Sequence, residues 1–515
     1  MAESGILVVI AAMTLHRRHE DVQKHGCCAL RNLSFNNNNK IAIAADGGIP
    51  VLLAAMKAHM GHVEVQEHGC CALRNLSNND NNKIAIAASG GIPVLLGAMK
   101  AHRGHVEVHV HGCCALRALF LNNTNKIAIA ADGGISVLLA ARKAHRGQAE
   151  VQAHGCCALR NLANNDNNKI AIAANGGIPV LLASMKAHMG QGHVEVQVHC
   201  CRALRNLSNN DNHKIAIAAD GGIPVLLTAT KAHMGHAEVL QHGCGALKNL
   251  SKNNSNKIAI AADGDIPVLL AAMKAHMRHV AVQVHGCRAL RNLSMNNSNT
   301  VAIAADGGIP VLLASMKAHM GHVEVQVHGC RALRNLANND NKIAIAADGG
   351  IPVLVTAIKA HMGHAEVLEH GCGALRYLSN NDNNKIAIAA DGGIPVLLAA
   401  MKAHMGHVAV QVHGCRTLRN LSMNNSNTVA IAADEGIPVL LAAIAHGARR
   451  GAGARLLCAG QNRVVRHDAA EAHQGRGWRG CGAGHRGSLG GNHRLQGSWA
   501  DAAAQIGASV EWHAV

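Results

Sequence analysis

The motif Gly-Gly-Ile-Pro-Val-Leu-Leu and its close variants return along this chain at Ile49, Ile92, Ile135, Ile178, Ile223, Ile266, Ile309, Ile351, Ile394 and Ile437. The steps between them are 42 to 45 residues, and most are 43. A period of this length marks a helical solenoid, in which no unit can bury its apolar face alone and a stack of neighbours builds one continuous core.

One unit reads as three helices. Around Ile92, the segment NNDNNKIAIAASGG opens on Asn/Asp caps and closes on glycine, which predicts a short first helix. The following GIPVLLGAMKAHRG places Pro93 in the first turn of a second helix and Lys100 and His102 in its last. A third helix is expected from about Val63 to Ser77, with Val65, Gly69, Ala72, Leu73 and Leu76 as its buried stripe. The longest unit inserts Gln191-Gly192 between second and third helix, and the shortest drops an Asn near Asn341, before a first helix. Both changes fall in expected loops, where a stack tolerates them.

The pattern NNKIAIAADGGIPVLLAAMKAH…EVQEHGCCALRNLS resembles the armadillo repeat, over some 85% of the chain. Among armadillo proteins it is similar to the regular arrays of vacuolar-inheritance-type and plant-type cytosolic scaffolds. The resemblance implies an all-α, right-handed superhelical solenoid of about ten three-helix repeats over residues 1–445, incomplete at both ends. Gly5–Leu15 fits that frame as a second helix, since GILVVIAAM parallels GIPVLLAAM. From residue 446 to 515 the period is lost and Gly, Arg, His and Ala dominate, which predicts a disordered tail. Within the tail, Gly475–Gly480 satisfies a Gly-x-Gly-x-x-Gly pattern but lacks the preceding strand and following helix of a dinucleotide site.

In the armadillo family the third helices line a groove for extended peptides, and grooves for basic peptides use a Trp and an Asn four residues apart. This chain keeps the Asn at Asn32, Asn75, Asn161, Asn206, Asn249, Asn292, Asn335 and Asn420. An amide has both donors and an acceptor, so these residues are expected to hold a peptide backbone. The Trp position departs: it is Cys28, Cys71, Cys114 and Cys157, then Arg202, Gly245, Arg288, Arg331, Gly373 and Arg416. Those arginines would repel a basic peptide, so an importin-like role is disfavoured.

A base precedes each Asn position, as at Arg74, Arg160, Arg205, Lys248 and Arg291. With Arg202, Arg288, Arg331 and Arg416 it predicts a basic ladder suited to acidic or phosphorylated extended segments. The alternative is that the ladder pairs internally with first-turn acids such as Glu64, Glu107, Glu150 and Glu195. The net charge of +17 also favours acidic partners. Nucleic acid is admitted but not favoured, because the body holds only Phe35, Phe120 and Tyr377 as stacking rings.

Composition argues against chemistry. Nearly every reactive side chain recurs in about ten equivalent places, so no unique nucleophile, acid/base and charge stabiliser converge, and no catalytic residue, metal ligand or cofactor is expected. The repeated Cys27, Cys70, Cys113 and their equivalents are expected to pack as small apolar residues. The three histidines per unit, as at His59, His62 and His68, are expected at solvated helix ends. No apolar run approaches a membrane span. Cysteine without a signal-peptide pattern points to reduced thiols in the cytoplasm or nucleus. The expected function is a non-catalytic scaffold binding other proteins, with end-to-end self-association through uncapped ends as a structural alternative.

Overall fold

The computed structural model describes residues 2–449 apart from 121, 122 and 263, together with residues 456–457 and 464–465. Two compact units divide the chain at Arg449/Arg450. The first is an all-α superhelical stack, extending four residues beyond the boundary expected from the period. In the second, Leu456–Leu457 pairs antiparallel with Val464–Val465. The rest of the tail lies outside the described residues, and with it the expectation of disorder.

The first complete unit shows how each helix arises. Asn36 caps Asn37–Ala45, its Oδ1 accepting from the backbone N–H of Asn38 and Asn39 at 2.8 and 3.2 Å. Gly47 then takes φ +80°, a left-handed turn that ends the first helix and starts Gly48–Ala58 at a bend of 77°. The second helix buries Ile49, Leu52, Leu53 and Met56. The third, Val63–Leu76, buries Val65, Cys70, Leu73 and Leu76 on the stripe its spacing predicts. Gly69 lies where a Cβ would stand 2.6 Å from Met56 Cγ, so glycine lets second and third helix close on one another.

Nine such units are present among the described residues, preceded by the helix pair Ala2–Leu15 and Glu20–Leu33 and followed by Asn425–Ala433 and Gly436–Arg449. The Gln191-Gly192 insertion forms a short 3-10 turn, Gln191–His193, before Val194–Leu207. The deletion at Asn341 has a larger effect. With one first-turn Asn missing, the side-chain cap is lost, the first helix shrinks to Lys342–Ala347, the preceding third helix runs on to Asn338, and Asp340 takes φ 64°.

Polar side chains tie the stack together where helix ends leave carbonyls unpaired. Gln66, fully buried, donates to Met56 O and His59 O at 2.8 and 2.9 Å, closing the second helix from the third. Gln23, Gln152, Gln197, Gln283, Gln326 and Gln411 repeat this clamp. Between units, Asn82 donates to Lys40 O at 3.0 Å, and Asn256, Asn299, Asn384 and Asn427 make the equivalent bond.

Candidate binding face of the third helices

The third helices stack side by side, and the predicted ladders lie along their C-terminal halves. The asparagines are where the period puts them, but their amide groups are already engaged. Asn75 donates to Arg31 O and Ser34 Oγ at 3.3 and 3.1 Å. Asn292 reaches Lys248 O and Ser251 Oγ, and Asn335 reaches Arg291 O and Ser294 Oγ. Asn249 adds Asn209 Oδ1 to Arg205 O and Ser208 Oγ, and Asn420 donates likewise to Arg376 O, Ser379 Oγ and Asn380 Oδ1. Asn206 bonds Arg160 O and Asn164 Oδ1. Asn161 makes no such donor bond and accepts from Arg160 at its Oδ1; Phe120 stands where most units carry the receiving serine.

The expectation that these amides are available to a peptide backbone is corrected accordingly. Where the Asn is a donor it caps a carbonyl near the end of the preceding third helix, which in most units also accepts from the local serine, as Arg31 O does from Ser34 Oγ at 2.6 Å.

Six of the bases before the Asn position are also committed, chiefly to a histidine of the next unit. Arg74 Nη1 lies 3.0 Å from His111 Nδ1, and Arg31–His68, Arg160–His199, Arg205–His242, Arg291–His328 and Arg334–His370 repeat the contact at 3.0 to 3.4 Å. A guanidinium only donates, so each imidazole accepts at Nδ1 and is neutral. Burial, then the neighbouring arginines, lowers histidines of this row: His111 and His199 to about 4, and His242, His328 and His370 to about 3, with His413 at about 4 and His285 at about 3 in the same helix position. The expectation of solvated helix-end histidines is therefore corrected for this class, whereas those just before the third helix, such as His105, His236 and His322, are exposed as expected. The class at the end of the second helix is buried as well: His102 Nε2 meets Met60 O at 2.7 Å, and His59, His188, His276 and His404 make the same inter-unit contact.

Arg202, Arg288, Arg331 and Arg416 occupy the outer side of this row. Arg202 is exposed and the other three are half-buried. Among the described residues none has a carboxylate within ion-pair distance, and Arg288 Nε is buried without a partner. The alternative of pairing with first-turn acids is not what the structure shows: Glu107 meets His111 at 3.7 Å, while Arg334 pairs with Glu369 at 3.5 Å. Positive charges crowd one another instead. Burial, then Arg288, Arg205 and Lys252, pulls Lys248 down to about 8. Burial, then Arg331 and Arg288, lowers Arg291 to about 10. Gly245 and Gly373 leave room for Arg205 and Arg334, whose Cδ atoms would sit 2.8 Å from an added Cβ.

The histidine row and the glutamine clamp were missed from sequence, although HGC recurs in nearly every unit 36 or 37 residues after the Arg of the preceding unit. The recurrence was visible, but the partner one unit back was not. The repeated cysteines are buried in the core, with Cys70 pushed by burial well above the usual thiol range. No three side chains of a metal-binding kind converge among the described residues. No single helix among them is long and apolar enough to cross a membrane.

A family model described as LRRK2 ARM repeat matches residues 6–179 and 266–441, more than half of the chain, and one described as Armadillo/beta-catenin-like repeat matches 165–209. No curated protein matches the sequence. Among solved structures, one from a study of a phosphorylation switch that controls the interaction between cadherin and beta-catenin superposes with a TM-score of 0.71 at 18% identity, covering 87% of this chain and 93% of that one. An engineered protein is 26% identical with a TM-score of 0.41, covering 48% of this chain and 96% of its own. With the repeating unit, its three helices and the match over most of its length in agreement, the chain belongs to the armadillo repeat family.

Proposed function

We propose that this array is a non-catalytic scaffold that binds extended acidic protein segments along its row of third helices, in the cytoplasm or nucleus. One observation carries the reading. Arg202, Arg288, Arg331 and Arg416 line that face without carboxylate partners, beside a second row of bases whose charges already oppose one another. A carboxylate arriving there relieves repulsion and finds bidentate donors, whereas a basic segment adds to it. The asparagines act indirectly, fixing the spacing of the arginines from unit to unit. The fold supports a scaffold role, and the solved relative with a TM-score of 0.71 comes from work on a protein–protein interaction.

The test is fluorescence anisotropy with a labelled oligo-glutamate peptide, its oligo-glutamine counterpart and a labelled single-stranded oligonucleotide. The glutamate peptide is expected to bind and the glutamine peptide not to. Replacing Arg288, Arg331 and Arg416 together by Glu should weaken binding by more than about tenfold, while Arg103→Glu on a second-helix terminus leaves it unchanged. Equal affinity in the triple variant removes the proposal. Tighter binding of the oligonucleotide, with a steep salt dependence, would replace it by a basic surface for nucleic acid.

A further inference from the structure

Because the units are near copies, positions that break the pattern stand out, and three of them meet at one point. Arg142 replaces the residue that is Met56, Met99, Met185, Met273, Met316 or Met401 in other second helices. Cys200 replaces the third-helix glycine that is Gly69, Gly112, Gly155, Gly243, Gly286 or Gly329 elsewhere. Ser184 stands where all but one other complete unit has Ala.

In the structure Arg142, 1% exposed, donates from Nη2 to Ser184 Oγ at 2.6 Å and approaches Cys200 Sγ at 3.8 Å, while its Nε bonds Gln152 Oε1 at 3.3 Å. Its Nη1 is buried without a partner. Cys156 Sγ and Cys200 Sγ lie 3.0 Å apart, both fully buried.

A buried guanidinium cannot lose its proton and needs a counter-charge. Among the described residues no carboxylate lies within ion-pair distance of Arg142, and the groups within reach that can become anions are thiols. We propose that Cys156 and Cys200 form a peroxide-oxidisable dithiol, in which Arg142 is the counter-cation of a Cys156 thiolate.

The electrostatics agree with that division of roles. Burial would raise the Cys156 thiol, but the hydrogen bond from Cys200 and the charge of Arg142 outweigh it and the thiol is lowered. Burial and the neighbouring Cys156 push Cys200 well up. In this scheme the Cys156 thiolate is the nucleophile and Cys200 the resolving thiol.

A cavity of about 230 Å3, lined in part by Arg142, Lys143, Arg146, Pro179, Val180 and Ser184, borders the cluster on its Arg142–Ser184 side, and in the proposed reaction a small oxidant enters from there. Hydrogen peroxide fits where a bulky disulfide does not. The Cys156 thiolate attacks one peroxide oxygen, an S–O bond forms, the O–O bond breaks and hydroxide leaves. Cys200 then attacks the Cys156 sulfur, the S–S bond forms, and the departing hydroxyl takes the Cys200 proton as water. Two cysteine sulfurs are oxidised to the disulfide, and peroxide is reduced to one water and one hydroxide.

Cys287 is the internal control. It touches Ser315 Oγ at 3.4 Å, but Met273 stands in place of Arg142 and Gly329 in place of Cys200, and burial pushes its thiol up to about 11.

The experiment exposes the reduced full-length chain to hydrogen peroxide, blocks remaining thiols and maps cysteines by mass spectrometry. A Cys156–Cys200 cross-link is expected before oxidation of Cys287, reversed by dithiothreitol. Arg142→Met restores the residue of the other units, so the fold should persist while cross-linking slows about tenfold and its pH profile moves up. Cys200→Gly likewise restores the repeat and should leave a Cys156 sulfenic acid that dimedone traps. Absence of the cross-link, or the same rate and pH profile with Arg142→Met, overturns the proposal.

Discussion

Arg74 Nη1 and His111 Nδ1 meet at 3.0 Å across the boundary between two repeats, and the imidazole is the acceptor. The same relationship recurs down the stack, so one side of the array is held by neutral histidines facing permanent cations.

The sign of the resulting pH dependence follows from the histidines' depressed values. In the unfolded chain a histidine takes up its proton near pH 6.5. Folded, His111 does so only at about 4 and His242 at about 3. Between these limits the unfolded state binds more protons, so the stabilisation is fully present above about pH 6.5 and falls as pH drops towards 3 to 4. The urea midpoint is expected to decrease steadily from about pH 7.5 to 5. Glu369, 3.5 Å from His370 Nδ1, and Glu107, 3.7 Å from His111 Nε2, are nearby acids that soften the effect at those positions. A midpoint that does not move across this range would contradict a row of buried neutral imidazoles.

The asparagines should register in stability. Asn249 is 1% exposed and donates to Arg205 O, Ser208 Oγ and Asn209 Oδ1. Asn249→Ala leaves those acceptors in a buried site, at a cost of about 1–3 kcal/mol. Asn161→Ala removes only an acceptor for the adjacent Arg160, and its effect should stay under about 0.5 kcal/mol. Urea denaturation of the two variants distinguishes an inter-unit clamp from a residue waiting for a ligand. Equal midpoints would return the amides to the binding face.

The architecture was legible in the sequence because each unit repeats its own punctuation: capping Asn36, the Gly47-Gly48 pair, Pro50 and the stripe of Val65, Leu73 and Leu76. Local rules suffice for helices of this kind. The candidate face was legible only in part. The period placed Asn292 and Arg291 correctly on the third helix, but what those side chains touch depends on the unit before and after. Lys248 O supplies the acceptor for one, and His328 the partner for the other. Such contacts span 37 to 44 residues and leave no trace in local spacing. The deviant cluster at Arg142 escaped for another reason: its members lie in different helices, and only the stack brings them together.

The junction between first and second helix offers a sharper test of packing. An alanine Cβ at Gly48 would stand 2.5 Å from Ile43 Cγ2 and 2.7 Å from Ile43 O. The second of these is backbone, which cannot swing aside as a side chain can, so Gly48→Ala should destabilise by about 1–3 kcal/mol. Gly69→Ala should cost less, because its clash at 2.6 Å is with the Cγ of Met56, a flexible side chain. Gly61 has nothing within 4 Å of such a Cβ and no positive φ. There the substitution only restricts the unfolded chain, and Gly61→Ala should be neutral or stabilising by up to about 1 kcal/mol. The expected order of urea midpoints is therefore Gly61→Ala highest, Gly69→Ala next and Gly48→Ala lowest. A Gly48→Ala midpoint equal to that of Gly61→Ala would mean the helices can part at this corner, and that the left-handed turn at Gly47 alone sets their angle.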